Sequence, residues 1–176
     1  MHAADGCLRL MAMLEVYLIR HGVAAERGKD WPDDSKRPLT PEGLVRLRKE
    51  ARALNALDVT FDQIITSPLL RTRQTADVFS EVLKGHPEIV QSDALAPAGT
   101  PAGVIEELTK HVRKPRLALV GHEPNLGELA AELIGARAPL EFKKGGVCRI
   151  DFDVLPPKGT GRLRWFVTPK ILRKLG

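Results

Sequence analysis

Two short apolar runs, each cut off by a glycine and a histidine, constrain this chain more than anything else in it. Val16, Tyr17, Leu18 and Ile19 lead into Arg20-His21-Gly22, and Leu117 to Val120 run without interruption into Gly121-His122. Apolar runs of this length, stopped by glycine, read as buried strands, and the second has the pattern of a strand covered on both faces. In open α/β sheets ligands collect beyond the C-terminal ends of the strands, where both histidines fall. Arg20 offers a planar fork to anionic oxygens and His21 a ring nitrogen able to act as a nucleophile, so the pair points to an anionic substrate. Gly22 is expected to let the backbone approach that ligand. A strand that merely ends in a turn would look the same over eight residues, but the second placement is harder to dismiss.

The segments between are helical with strands interspersed. Val23 to Pro38 is polar and reads as a loop. Thr40-Pro41-Glu42 supplies a cap, a proline at the first helical position and an acid in the first turn. The helix that follows aligns Leu44, Leu47, Ala51 and Leu54, leaving Arg46, Lys49, Glu50 and Arg52 as an expected solvated face. Phe61 to Thr66 reads as a strand. Leu69 to Leu83 is a helix with Leu69, Thr72, Ala76, Phe79 and Leu83 on one side. Arg71 and Arg73 in its first turn oppose the helix dipole, which makes sense for Arg71 if an anion sits before it; Arg73 reads as a solubilising charge.

Ile89 to Gln91 is a further short strand, Leu95 to Thr100 a loop, and Pro101 to His111 a helix with Val104, Ile105 and Leu108 inward. A helix to about Ile134 follows Asn125, with Leu126, Leu129, Ala130 and Leu133 inward. Gly145 to Val154 and Gly161 to Val167 read as two strands joined by residues 155–160. Lys170, Arg173 and Lys174 are expected to form a solvated basic end.

At 176 residues one domain is the simplest organisation, taken as 14–176 after an N-terminal extension, 1–13. A hydrophobic fraction of 43% and a charged fraction of 28% are ordinary for a globular chain. The net charge of +5 favours acidic partners, yet no basic cluster with interleaved aromatics marks a nucleic-acid surface. No apolar run approaches the roughly 20 residues that span a bilayer, so no membrane association is expected. Cys7 and Cys148 make no disulfide framework or metal spacing, in keeping with a cytoplasmic chain whose cysteines are packing residues.

Taken together these segments resemble the histidine phosphatase superfamily, the phosphoglycerate-mutase-like fold. The resemblance rests on Arg20-His21-Gly22, on Ser67 to Ala76 with Arg71 at the second phosphate-binding arginine, on Gly121-His122, and on Leu39 to Gly43 as the first helix entry. It runs in order from about Val16 to Leu133. The short length, Arg37-Pro38-Leu39-Thr40 and Gly121-His122-Glu123-Pro124 are most similar to phosphohistidine phosphatases of the SixA type. The fold it implies is a three-layer αβα sandwich, its sheet mostly parallel with an antiparallel C-terminal strand pair.

The activity implied is a metal-independent, cofactor-free phosphatase. Arg20, Arg71 and His122 would clamp the phosphoryl group while His21 attacks phosphorus, forming a covalent phosphohistidine that water hydrolyses. Larger branches of the superfamily carry an acid after the second-arginine helix, but Leu95 to Pro101 has no carboxylate. Glu123 is a possible proton donor, or else a helix N-terminal acid. A phosphorylated imidazole can leave neutral, having a free pKa of about 6.5, whereas an alkoxide needs a proton. The substrate expected is therefore a phosphohistidine on a partner protein, acted on by a monomer. The alternatives are a small phosphomonoester (sugar, nucleotide or polyphosphate) and, further off, a non-catalytic phosphoryl-binding module.

Overall fold

The computed structural model describes residues 13–111, 113–153 and 160–176. Most of the N-terminal extension, Cys7, and nearly all of the connection expected at 155–160 lie outside the described residues. Strand β1, Leu14–Arg20, is the centre of the molecule, and its five apolar residues are all buried. It is followed by α1 (Pro41–Ala56), β2 (Gln63–Thr66), α2 (Leu70–Val82), β3 (Glu88–Gln91), α3 (Pro101–Thr109), β4 (Arg116–Gly121), α4 (Asn125–Ile134), β5 (Val147–Phe152), β6 (Arg162–Val167) and α5 (Pro169–Leu175).

The six strands form one sheet in the order β3-β2-β4-β1-β5-β6. The first four are mutually parallel, while β5 runs antiparallel to β1 and to β6. Alternation along the strands splits the core into two halves. Tyr17, Ile19, Ala118 and Val120 face α1, α2 and α5, where they meet Leu47, Phe79 and Leu172. Val16, Leu18, Leu117 and Leu119 face α3 and α4, where they meet Leu108, Leu126 and Leu129. Period-2 strands buried on both faces require helices on both, and the expected three layers follow.

The crossovers matter for function. Chain leaving β1 passes to the α1 face, whereas chain leaving β4 passes to the α4 face, so the two connections part company between adjacent parallel strands. There Arg20 pairs in register with Gly121. A crevice opens where neighbouring strands send their connections to opposite faces.

Local chemistry accounts for the helix boundaries. Thr40 accepts a hydrogen bond from the Gly43 amide and Pro41 opens α1, as the sequence predicts; Thr100 and Pro101 do the same for α3. α4 ends at Gly135, whose φ of 68° is the left-handed cap conformation that glycine adopts without strain. The second strand is shorter than expected, since Phe61 enters the core from the preceding turn instead of from β2. Within the expected loop of residues 23–38, Asp34–Lys36 form a 3-10 turn and Ala24 bridges Leu39. Val154 lies outside the described residues, and β5 closes at Phe152.

Two expectations about charge fail in part. Glu50 is not on a solvated face, being 1% exposed, and at the basic chain end Arg173 is drawn inward while Lys170 and Lys174 stay exposed. α5 folds back onto α1, burying Leu172 and bringing Arg173 Nη1 to 2.5 Å from Glu50 Oε1. Helical periodicity in α1 shows one apolar stripe; it carries no sign of a second helix arriving from the far end of the chain. Among the described residues, no helix is long and apolar enough to cross a membrane.

Candidate active site

Arg20 and His21 leave β1, Ser67 follows β2, and His122 follows β4, so three adjacent strand ends deliver them to one edge. Arg71 comes from the first turn of α2. The His21 amide donates to the Gly121 carbonyl at 3.2 Å, and the His21 and His122 rings face each other with centroids 5.2 Å apart. His21, Arg71 and His122 are all buried. The four residues singled out in the sequence are therefore brought together, and no core side chain takes the place of either ring.

The hydrogen bonds around the two rings assign their roles. His21 Nδ1 lies 2.7 Å from the Gly22 carbonyl oxygen. A carbonyl only accepts, so Nδ1 carries the hydrogen and Nε2 keeps its lone pair. His122 is wired the other way, with Nε2 at 2.8 Å from Ser67 Oγ. Ser67 Oγ also accepts the Leu69 amide at 3.4 Å, and its own hydrogen can be given to a lone pair on His122 Nε2. The hydrogen of His122 is then on Nδ1. Among the described residues, the buried side-chain nitrogens and oxygens that make no hydrogen bond are Arg20 Nε, Arg71 Nε and His122 Nδ1. Buried donors left without partners are costly, on the order of 1–3 kcal/mol each. Three such atoms close to the His21 ring have the chemistry to meet the oxygens of a tetrahedral anion.

Electrostatics keep both rings neutral. Burial lowers the His21 pKa to about 4; the Gly22 carbonyl opposes it, and the nearby Arg71 and Arg20 guanidiniums and Lys144 add smaller lowering effects. Burial and the neighbouring His21, Arg71 and Arg20 lower His122 to about 3. A neutral imidazole at pH 7 is what a nucleophile requires.

Several supports were not legible from spacing. Asp34, in the loop after β1, accepts Arg71 Nη2 on Oδ2 at 3.0 Å and Arg71 Nη1 on its backbone oxygen at 2.9 Å. Its other oxygen accepts Arg37 Nε at 3.0 Å and Arg27 Nε at 3.2 Å. Both terminal nitrogens of Arg71 are thereby held by the loop, leaving the Nε edge free. Burial alone would raise the Asp34 carboxyl, but Arg37 and Arg71 outweigh it and hold it low, which disqualifies it as an acid. Thr75 Oγ1 accepts the Gly22 amide at 3.1 Å and Gln74 Oε1 accepts the Leu39 amide at 2.7 Å, so α2 braces both ends of the loop.

Gly22 also serves the packing of α1 against the strand end, since a Cβ there would meet Leu47 Cδ1 at 2.5 Å. Arg73, expected to be a solubilising charge, is partly exposed and pairs with Asp77 one turn on.

Glu123 follows His122 but does not cap α4. Its Oε1 accepts the Phe142 amide at 3.2 Å, while Arg20 Nη1 donates to the Phe142 carbonyl at 2.5 Å. Burial raises its pKa, opposed by the Phe142 hydrogen bond and by Arg20. It stands directly next to His122 in the chain.

Comparison with known proteins agrees with this geometry. Residues 16–118 match the family profile described as histidine phosphatase superfamily (branch 1). An uncharacterised protein of Picosynechococcus is 40% identical over 139 residues, covering 76% of this chain and 82% of that protein. Phosphohistidine phosphatase SixA of Escherichia coli K12 is 27% identical over 162 residues, covering 89% and 94%. The solved structure of the protein histidine phosphatase SixA complexed with tungstate superposes with a TM-score of 0.81, at 27% identity and with 90% and 99% of the two chains covered. With more than half its length matched by the profile, this chain belongs to the histidine phosphatase superfamily, in its SixA-type branch.

Proposed function

We propose that this protein is a phosphohistidine phosphatase, removing phosphate from a histidine on a partner protein through a covalent intermediate on His21. The observation that carries the reading is the trio of unpartnered donors, Arg20 Nε, Arg71 Nε and His122 Nδ1, beside a His21 ring whose Nδ1 is engaged and whose Nε2 is free. Phosphoryl transfer asks for positioning and for charge stabilisation on the equatorial oxygens, and three such donors supply both. His21 Nε2 forms the new bond to phosphorus as the substrate P–N bond breaks, and the electron pair of that bond leaves with the substrate imidazole. Water then attacks the phosphorylated His21, the Nε2–P bond breaks, and inorganic phosphate is released.

Two guanidiniums and an imidazole N–H already meet the phosphoryl charge, so the reading calls on no metal, and chelation should leave the rate unchanged. The core elements alone fill the chain between Arg71 and His122, which suits a phosphohistidine presented on a protein surface. The missing alcohol-directed acid favours a leaving group that departs neutral. The cytoplasm is the compartment in which such a partner would be met.

The experiment is a trap. Incubation with a protein carrying labelled phosphohistidine, followed by a quench that avoids acid, should leave label on the wild-type chain and none on His21→Ala. No label on wild type during active turnover would remove the covalent route. Glu123 keeps one other reading in play, since its raised pKa suits an acid for a phosphate ester. Faster turnover of sugar phosphates than of phosphohistidine, lost in Glu123→Gln, would establish that alternative.

A further inference from the structure

Next to the clamp a cleft of about 340 Å3 opens between α1, the turn before β5 and the start of α5. Arg20, Arg46, Lys143, Lys144 and Arg173 line it, against a single acid, Glu50. The clamp and the cleft share a wall. The Gly145 amide donates to the carbonyls of Arg20 and His21 at 3.1 and 3.2 Å, and a Cβ on Gly145 would lie 2.4 Å from the Glu50 carboxylate.

The cations of this cleft are poorly neutralised. Arg46 and Lys143 pair with Glu42 and Glu141, but both acids are exposed, and pairs of that kind are weak and easily exchanged. Lys144 makes no ion pair among the described residues and is near enough to act on the His21 ring. Glu50 is committed to Arg173. Even with Glu123 beside Arg20 included and every acid counted as fully charged, five cations face four carboxylates.

We propose that this cleft is a subsite for a second anionic group of the substrate, an aspartate or glutamate side chain flanking the phosphohistidine. The proposal rests on the phosphohistidine reading given above. The phosphoryl oxygens are met by the clamp donors, so the remaining cations, on the Arg20 side and outside the clamp, are available to whatever lies beside the phosphorylated ring. On a protein substrate the anion in that position is a carboxylate. Arg20 belongs to both sites and orients the substrate, so that an acidic flank points over α1 toward α5.

The test uses two peptides phosphorylated on the same histidine, one with Asp and Glu at the flanking positions and the other with Asn and Gln. The wild-type chain should prefer the acidic peptide by about tenfold in kcat/KM, the sum of two or three exposed charge pairs. The preference should reside in KM and shrink as ionic strength rises. In an Arg46→Ala/Lys144→Ala chain the ratio between the peptides should fall to about one. Equal rates on the two peptides in wild type, or a preference that survives in the double variant, would overturn the subsite and leave the phosphohistidine reading standing. Failure on both peptides by a preparation that cleaves p-nitrophenyl phosphate would overturn both. A preference for fructose 1,6-bisphosphate over fructose 6-phosphate that depends on Arg46 and Lys144, with none between the peptides, would overturn the peptide assignment.

Discussion

The strand ends of β1 and β4 carry nearly the same local sequence, an apolar run, a histidine and a glycine beside it, yet their imidazoles are wired in opposite senses. His21 turns Nδ1 back to the carbonyl of its own neighbour, Gly22, and leaves Nε2 open. His122 turns Nε2 to Ser67, a residue delivered by β2, and leaves Nδ1 open. The first ring is thereby a base with a lone pair and the second a donor with a hydrogen. On the proposed reading, what separates nucleophile from clamp is the partner on the far nitrogen, local for one ring and remote for the other.

The sharpest way to break this comparison is to remove each ring in turn. His21→Ala should abolish turnover, because it removes the proposed nucleophile. His122→Ala should cost about 10²–10³ in kcat, the order expected for loss of one preorganised donor, while covalent label still accumulates on His21. Steady-state kinetics with the trapping assay separates the two. Equal losses with label absent from both would mean the rings act as one unit and the division of roles is wrong.

A second contrast, about thirtyfold in size, lies in pH. An ordinary imidazole of pKa about 6.5 is only about 3% neutral at pH 5. With His21 lowered to about 4 by burial and by Arg71 and Arg20, most of it is still neutral there. The kcat/KM of wild type should therefore fall less than about twofold between pH 7 and pH 5, with its acid limb near 4. Stability moves with the same sign. The unfolded chain takes up protons on these histidines below about 6.5 and the folded chain does not, so stability present above that pH is lost as pH falls toward 4 for His21 and 3 for His122. An acid limb near 6.5 would show that His21 is solvated.

The two histidines also mark what could be read from sequence. The short apolar runs, Gly22 and Gly121 placed both rings at strand ends, because a buried parallel strand leaves a local pattern. Arg71 was legible from its dipole conflict at the start of α2. Ser67, Thr75 and Gln74 sat inside a motif, but their targets, His122, Gly22 and Leu39, come from other segments. Asp34 and the Glu50–Arg173 pair left no trace, since each depends on segments brought together only by the finished sheet or by α5 closing on α1. Local periodicity encodes which face is buried; it does not encode what a buried polar atom will meet.

Ser67→Ala sharpens the comparison at a smaller scale. It removes the hydroxyl that holds hydrogen on His122 Nδ1 and leaves the ring free to change tautomer, so the clamp keeps its imidazole but loses its certain donor. A fall of about tenfold in kcat is expected, the lower end of what one misplaced hydrogen bond costs a transition state. Ser67→Thr, which keeps the hydroxyl, should recover part of it. An unaffected rate in Ser67→Ala would mean that His122 finds its tautomer without help.

The smallest expected effect tests whether the clamp arginine needs the same kind of outside partner as the clamp histidine. Asp34 grips both terminal nitrogens of Arg71 from the loop after β1, as Ser67 grips His122 from β2. Its backbone carbonyl supplies one of those two bonds and survives any side-chain change. Asp34→Asn keeps the shape and one acceptor oxygen but removes the charge that Arg27 and Arg37 also share. Arg71 would then retain one firm contact and gain freedom in the other, and a loss of about three- to fivefold in kcat/KM follows, corresponding to roughly 0.7–1 kcal/mol. Because Arg71 would also be relieved of a competing carboxylate, KM for the phosphorylated substrate should hold or fall while kcat drops. A rise in KM at constant kcat would show instead that Asp34 contacts the substrate, and the parallel between clamp arginine and clamp histidine would fail.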